Sequence, residues 1–194
     1  MNAAPDYDVI VVGAGPAGLS AALMLGRCRR SVVVFDNSKP RNAASRALHG
    51  YLTRDGIAPA DFLQLARGEL AQYDSVEIRS EEVTAAECRP GDGFVVTVAS
   101  GGTLRARKLL LATGVVDNLP DIPGFREMYG RSVFHCPYCD GWELCDRPLA
   151  VYGRGARGSA SRSSSRPGAA ISCCARTVRV RSNMRTGPGS SAIT

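Results

Sequence analysis

Tyr7-Asp8-Val9-Ile10-Val11-Val12-Gly13-Ala14-Gly15-Pro16-Ala17-Gly18 decides how the 194-residue chain is read. The first six residues spell a buried, β-branched strand, and three glycines at G-x-G-x-x-G spacing close it. Leu19 to Cys28, rich in Ala and Leu, reads as a helix. Ser31-Val32-Val33-Val34-Phe35 reads as a second strand, ending in Asp36. Strand, glycine turn, helix, strand and acid thus stand in the order of a dinucleotide-binding βαβ unit. Gly13 permits the tight turn, Gly15 lets a pyrophosphate approach the backbone, and Gly18 lets helix and strand pack closely. Pro16 and Ala17 open the helix, whose N-terminus offers amide donors to phosphates, and Asp36 is placed for ribose hydroxyls.

Beyond Asp36 lies an irregular polar stretch, Asn37 to Pro59, whose length without a clear period marks a functional loop. It contains Lys39-Pro40-Arg41-Asn42 and His49-Gly50-Tyr51-Leu52-Thr53-Arg54-Asp55-Gly56. On the residues alone His49 reads as a surface or packing histidine. Phe62, Leu65, Ala66, Glu69, Leu70 and Tyr73 recur at helical spacing behind Pro59, and this helix reads mainly as scaffold. Val76–Arg79, Glu82–Ala85, Phe94–Val98 and Leu104–Arg107 read as strands of a small antiparallel meander, with turns at Arg89–Gly93 and Ser100–Gly102. Lys108 to Ala112 then returns the chain to the parallel sheet, closed by Thr113-Gly114, small enough for close backbone approach to a ligand.

Cys136-Pro137-Tyr138-Cys139-Asp140 is the second chemically pointed stretch. Two thiols three positions apart at a helix start can close a disulfide, and the helix dipole there favours thiolate. C-x-x-C also begins many zinc sites, and His135 and Cys145 are near enough to complete one. A zinc ribbon wants a second spaced pair. The other close pair, Cys173-Cys174, is adjacent, which favours the redox reading.

The net charge of +6 is localised. All 18 acidic residues lie within residues 1–146 beside 15 Lys and Arg, while residues 147–194 hold nine Arg and no acid. The basic balance therefore belongs to the C-terminal stretch and carries no nucleic-acid footprint for the folded part. Seven cysteines without a secretory leader point to a reducing, cytoplasmic setting, and no apolar run has the length of a membrane span.

Taken together, Gly13–Gly18 with Asp36, Leu111-Ala112-Thr113-Gly114, Leu119-Pro120 with Ile122-Pro123-Gly124, Cys136–Asp140 and Gly153-Arg154-Gly155-Ala156-Arg157-Gly158 resemble the low-molecular-weight thioredoxin reductases. These are FAD-dependent pyridine nucleotide-disulfide oxidoreductases. The resemblance implies an α/β fold: a Rossmann-like three-layer FAD domain with a small antiparallel meander, followed by the start of a second, NADPH-binding Rossmann-like domain. It further implies that NADPH reduces FAD and that the flavin reduces the Cys136–Cys139 disulfide. Cys139 would face the flavin, Cys136 would attack the substrate disulfide, and Asp140 would act as acid and base. Arg41, Asn42, His49, Leu52 and Asp55 match positions lining the family's flavin pocket, and Val83 matches a strand backbone beside adenine. The implied partner is thioredoxin or another disulfide, and a full-length chain would form a homodimer. The Pro-Tyr pair within the dithiol, with Gly141-Trp142-Glu143 after it, resembles the branch holding dithiol oxidases of natural-product pathways, an alternative activity. A zinc-binding module or an inactive fragment is the non-enzymatic alternative.

Leu149-Ala150-Val151-Tyr152 before Gly153, Gly155 and Gly158 resembles the opening of the NADPH unit. The apolar helix that should follow is replaced by the serine-rich run Ser159 to Gly168, and the family pattern ends near residue 158. The break falls inside a well-formed motif, which favours a reading-frame shift or truncation over a disordered linker or a basic nucleic-acid-binding arm. The expected organisation is an N-terminal FAD segment over 1–118, the crossover and start of the NADPH/dithiol domain over 119–158, and a disordered basic stretch over 159–194.

Overall fold

β1 (Tyr7–Val12) sits at the centre of a six-stranded sheet because its side chains are apolar on both faces. Val9 and Val11 point to one side, where they pack with Leu19 and Ala22 of helix α1 (Pro16–Arg27). Ile10 points to the other and packs with Val96, Leu104 and Ala106. β2 (Val32–Phe35) repeats the division and is buried throughout. A strand covered on both faces needs a continuous apolar run, and each such side chain contributes about 1.5–3 kcal/mol through burial. The structure, a computed structural model, describes residues 4–150 and 152.

After β2 the chain runs through α2 (Pro59–Leu70), β3 (Val76–Arg79), β4 (Val83–Arg89), β5 (Gly93–Val98) and β6 (Thr103–Leu111). The sheet order is β3-β2-β1-β6-β5-β4. β3, β2, β1 and β6 run parallel, whereas β4, β5 and β6 form an antiparallel meander whose apolar side chains cover the sheet face opposite α1. These are the three layers of a Rossmann-like α/β domain.

Two details differ from the sequence reading. Val76–Arg79 is the far edge of the parallel sheet, paired with β2 rather than with the meander. A helical crossover through α2 returns the chain in the same direction, which imposes parallel pairing. The two short strands expected over Leu104–Arg107 and Lys108–Ala112 are one nine-residue strand. β6 pairs antiparallel to β5 along one edge and parallel to β1 along the other, with Ala106 opposite both Phe94 and Tyr7.

The chain divides into two compact units, Met1–Val133 and Phe134–Thr194. The first unit ends in the short helix α3 (Phe125–Met128), and the second contains α4 (Pro137–Asp140). Gly153, Gly155, Gly158 and the 159–194 stretch lie outside the described residues.

Candidate dinucleotide cavity and dithiol

The glycine turn is fixed by close backbone approach. Gly13 has φ 109°, and its amide donates to the Phe35 carbonyl at 2.9 Å. A Cβ on Gly13 would lie 2.2 Å from the Ala112 carbonyl oxygen, and one on Gly18 would lie 1.9 Å from the Gly13 carbonyl oxygen. Side chains are excluded at both positions by the protein itself. Gly15 is different. It caps α1 in extended backbone that any residue adopts, and a Cβ there would meet nothing within 4 Å.

Above this turn opens a cavity of about 1130 Å³ in the first unit. Gly13 to Ala17 form its floor, and Leu111 to Val116, including Thr113 and Gly114, form one wall. The polar stretch after β2 supplies another wall, with Asp36, Arg41 and Asn42 among its residues. The space beside Gly15 is the clearance that a pyrophosphate against the α1 N-terminus needs, so the residues fit the diphosphate of a dinucleotide.

Asp36 is 8 % exposed and already engaged. Oδ1 accepts the Ser38 amide at 2.9 Å, and Oδ2 accepts the Arg67 guanidinium. Arg67 was absent from the sequence-derived site. It reaches the cavity because Pro59, Leu63 and Arg67, spaced by four, line one face of α2. That helix is therefore a cavity wall as well as scaffold. The signal was legible as a second stripe beside the apolar one, with a cation at its end.

Arg41 pairs side-on with Asp117, Nε at 2.8 Å and Nη2 at 2.6 Å from the carboxylate oxygens. The Tyr129 hydroxyl donates to the same carboxylate at 2.5 Å. Burial and the bond to Asp117 push the Tyr129 phenol up to about 12, with Arg41 opposing. The hydrogen bond to Asp117 also raises Arg41 above its already high value. Neither Asp117 nor Tyr129 carried a motif signal.

His49, Leu52, Asp55 and Val83 are not among the residues lining this cavity. His49 and Asp55 belong to a closed loop pinned by the Leu48–Ile57 bridge. Asp55 Oδ1 accepts the Gly50 amide at 2.7 Å and lies 3.6 Å from His49 Nδ1. Leu52, at the tip, is 89 % exposed. Val83 opens β4, opposite Val98, and packs against the meander core.

In the second unit Cys136 and Cys139 are joined as a disulfide, with Cα atoms 5.3 Å apart. The helix expected behind them is a single turn, ending with Asp140, because Gly141 and the turns after it do not continue it. A one-turn helix has little macrodipole, so the dipole contribution expected from the sequence is small. Among the described residues no group of three or more His, Cys, Asp or Glu gathers as a metal site would. No described helix is long and apolar enough to cross a membrane.

Parallel βαβ sheet, glycine turn and C-x-x-C disulfide together define a dinucleotide-fold disulfide oxidoreductase. Comparison with known proteins agrees, as the model of the pyridine nucleotide-disulphide oxidoreductases matches residues 7–161. The chain belongs to this family. It is 43 % identical over 152 residues to a "probable thioredoxin reductase" of Arthroderma benhamiae, covering 76 % of this chain and 38 % of that protein. It is 41 % identical to thioredoxin reductase tcpT of Claviceps purpurea, covering 74 % and 45 %. Among solved structures, HlmI superposes with a TM-score of 0.73 at 46 % identity, covering 76 % of this chain and 47 % of that one. The chain thus spans less than half the length of these relatives.

Proposed function

We propose that this chain is the flavin- and dithiol-bearing part of a thioredoxin-reductase-type enzyme, with FAD in the cavity of the first unit and NADPH as the reductant. The observation that carries this reading is Gly15. Packing requires glycine at Gly13 and Gly18, whereas at Gly15 a Cβ would meet nothing within 4 Å, which leaves the clearance a pyrophosphate would need. The α1 N-terminus would hold the pyrophosphate, Asp36 the ribose hydroxyls, and Thr113-Gly114 a close approach on the far wall. When bound, FAD supplies two-electron transfer between a nicotinamide and a disulfide.

The chain's own chemistry then lies at Cys136 and Cys139. Two electrons and two protons convert their disulfide to two thiols. Cys136, as thiolate, attacks one sulfur of a substrate disulfide and displaces the other. Cys139 resolves the mixed disulfide, which regenerates the Cys136–Cys139 bond and releases the reduced substrate. Asp140, next to Cys139, would take and return the thiol proton. The substrate is a protein disulfide of the thioredoxin kind or a small disulfide, and the likeness to thioredoxin reductases supports the first.

The visible spectrum of the purified chain tests this. A flavin band that dithionite bleaches is expected, and bleaching by NADPH would extend the reading to the whole electron path. A chain that holds no flavin, even after incubation with excess FAD, overturns it.

A further inference from the structure

Arg41 lines the cavity with its guanidinium held edge-on by Asp117, and Asp117 is in turn held by Tyr129. The pair uses Nε–H and one Nη2–H, and Tyr129 also engages the guanidinium, while the five donors of the fork exceed what these partners take. Left alone, an arginine on a surface turn samples many rotamers, at about 2 kcal/mol of side-chain entropy. Here the backbone is fixed too. Gly130, at φ 77°, comes so close to the turn that a Cβ would lie 2.6 Å from the Ala44 carbonyl. The segment carrying Asp117 and Tyr129 is therefore pressed onto the turn carrying Arg41.

A brace alone would not need these groups, since an apolar contact joins two segments as well as a partly buried ion pair does. A preset cation with spare donors is useful where an anion must be bound. We propose that Asp117 and Tyr129 are positioning residues that hold Arg41 as a fixed phosphate-binding group on the cavity wall. This rests on the reading that the cavity takes a dinucleotide. The phosphates of that ligand are the anions available to Arg41, and a planar, bidentate fork suits them.

The test uses the whole 194-residue chain and compares ADP with adenosine, each competed against FAD by flavin fluorescence. The ADP-over-adenosine preference isolates the phosphate contact, because loosening the fold weakens both ligands alike. Arg41→Gln is expected to cut that preference about tenfold, the weight of one charge-assisted hydrogen bond. Asp117→Asn and the conservative Tyr129→Phe are expected to cut it in the same direction by a smaller factor. A melting curve for each variant checks that it is folded. If Asp117→Asn and Tyr129→Phe weaken ADP and adenosine equally, or leave both unchanged, the positioning role is overturned while the dinucleotide reading stands. A wild-type chain that binds neither FAD nor ADP overturns that reading and the proposal with it.

Discussion

Gly13 and Gly15 stand two residues apart and answer to different demands. The first is held at φ 109° against the Ala112 carbonyl, whereas the second faces open space. Gly13→Ala is therefore expected to destabilise the chain by about 2–4 kcal/mol, as strain and overlap combine. Gly15→Ala is expected to leave stability within about 0.5 kcal/mol while lowering FAD affinity. Urea denaturation paired with flavin titration measures both, and a Gly15→Ala chain that keeps full FAD affinity would contradict the reading of that glycine. The glycine spacing was legible in the sequence because at Gly13 and Gly18 the close backbone approach leaves only one residue type. Asp117 and Tyr129 were not, because a side chain that meets another across many residues leaves no local pattern, and Arg67 was written only as the end of a second stripe on α2. His49, Leu52 and Asp55 were named through family resemblance, and they stand on the loop closed by the Leu48–Ile57 bridge, which is not among the segments lining the cavity.

Elements carry a second set of consequences. The contact between the turn after β2 and the segment before α3 depends on a phenol that must stay protonated to donate to Asp117. Tyr129 titrates at about 12 in the fold against 10 for an ordinary tyrosine. A raised value means that the folded state favours the proton. The stabilisation is therefore complete below pH 10 and is lost as pH rises from 10 towards 12. Wild-type stability should fall more steeply over that window than that of Tyr129→Phe, measured by denaturation at pH 9, 10 and 11. Tyr7 is also raised, by burial and by Glu77, so the difference between the two chains is the quantity to read. Among the elements themselves, β1 and β2 were plain in the sequence because both-face burial writes unbroken apolar runs. The placement of β3 was hidden, since four residues of alternating character fit either sheet edge, and only the crossover decides.

For the whole molecule, the disulfide and the cavity belong to different compact units. The Cys136–Cys139 link spans three positions and closes a very small loop, so it constrains little of the unfolded chain. Reduction with dithiothreitol is expected to leave the melting midpoint of the first unit unchanged. An alkylating reagent should take Cys28 and Cys88, both exposed, before reduction and Cys136 and Cys139 only afterwards, as mapped by mass spectrometry. Labelling of Cys136 or Cys139 before reduction would mean that the pair is held as free thiols.

The position of β6 also governs how this protein is made. β1 leaves the ribosome early and pairs on one edge with β2, Val9 with Val32 and Val12 with Phe35, yet on its other edge Val9 must wait for Lys108 and Val12 for Leu111. At about 5–20 residues per second, roughly 5–20 s pass between the two strands. Throughout that interval one edge of the nascent parallel sheet is unpaired and apolar, open to the same segment of a neighbouring chain on the polysome. The strand that joins meander to parallel sheet is thus the one whose arrival ends the exposure, and chaperone demand during synthesis should peak just before it emerges.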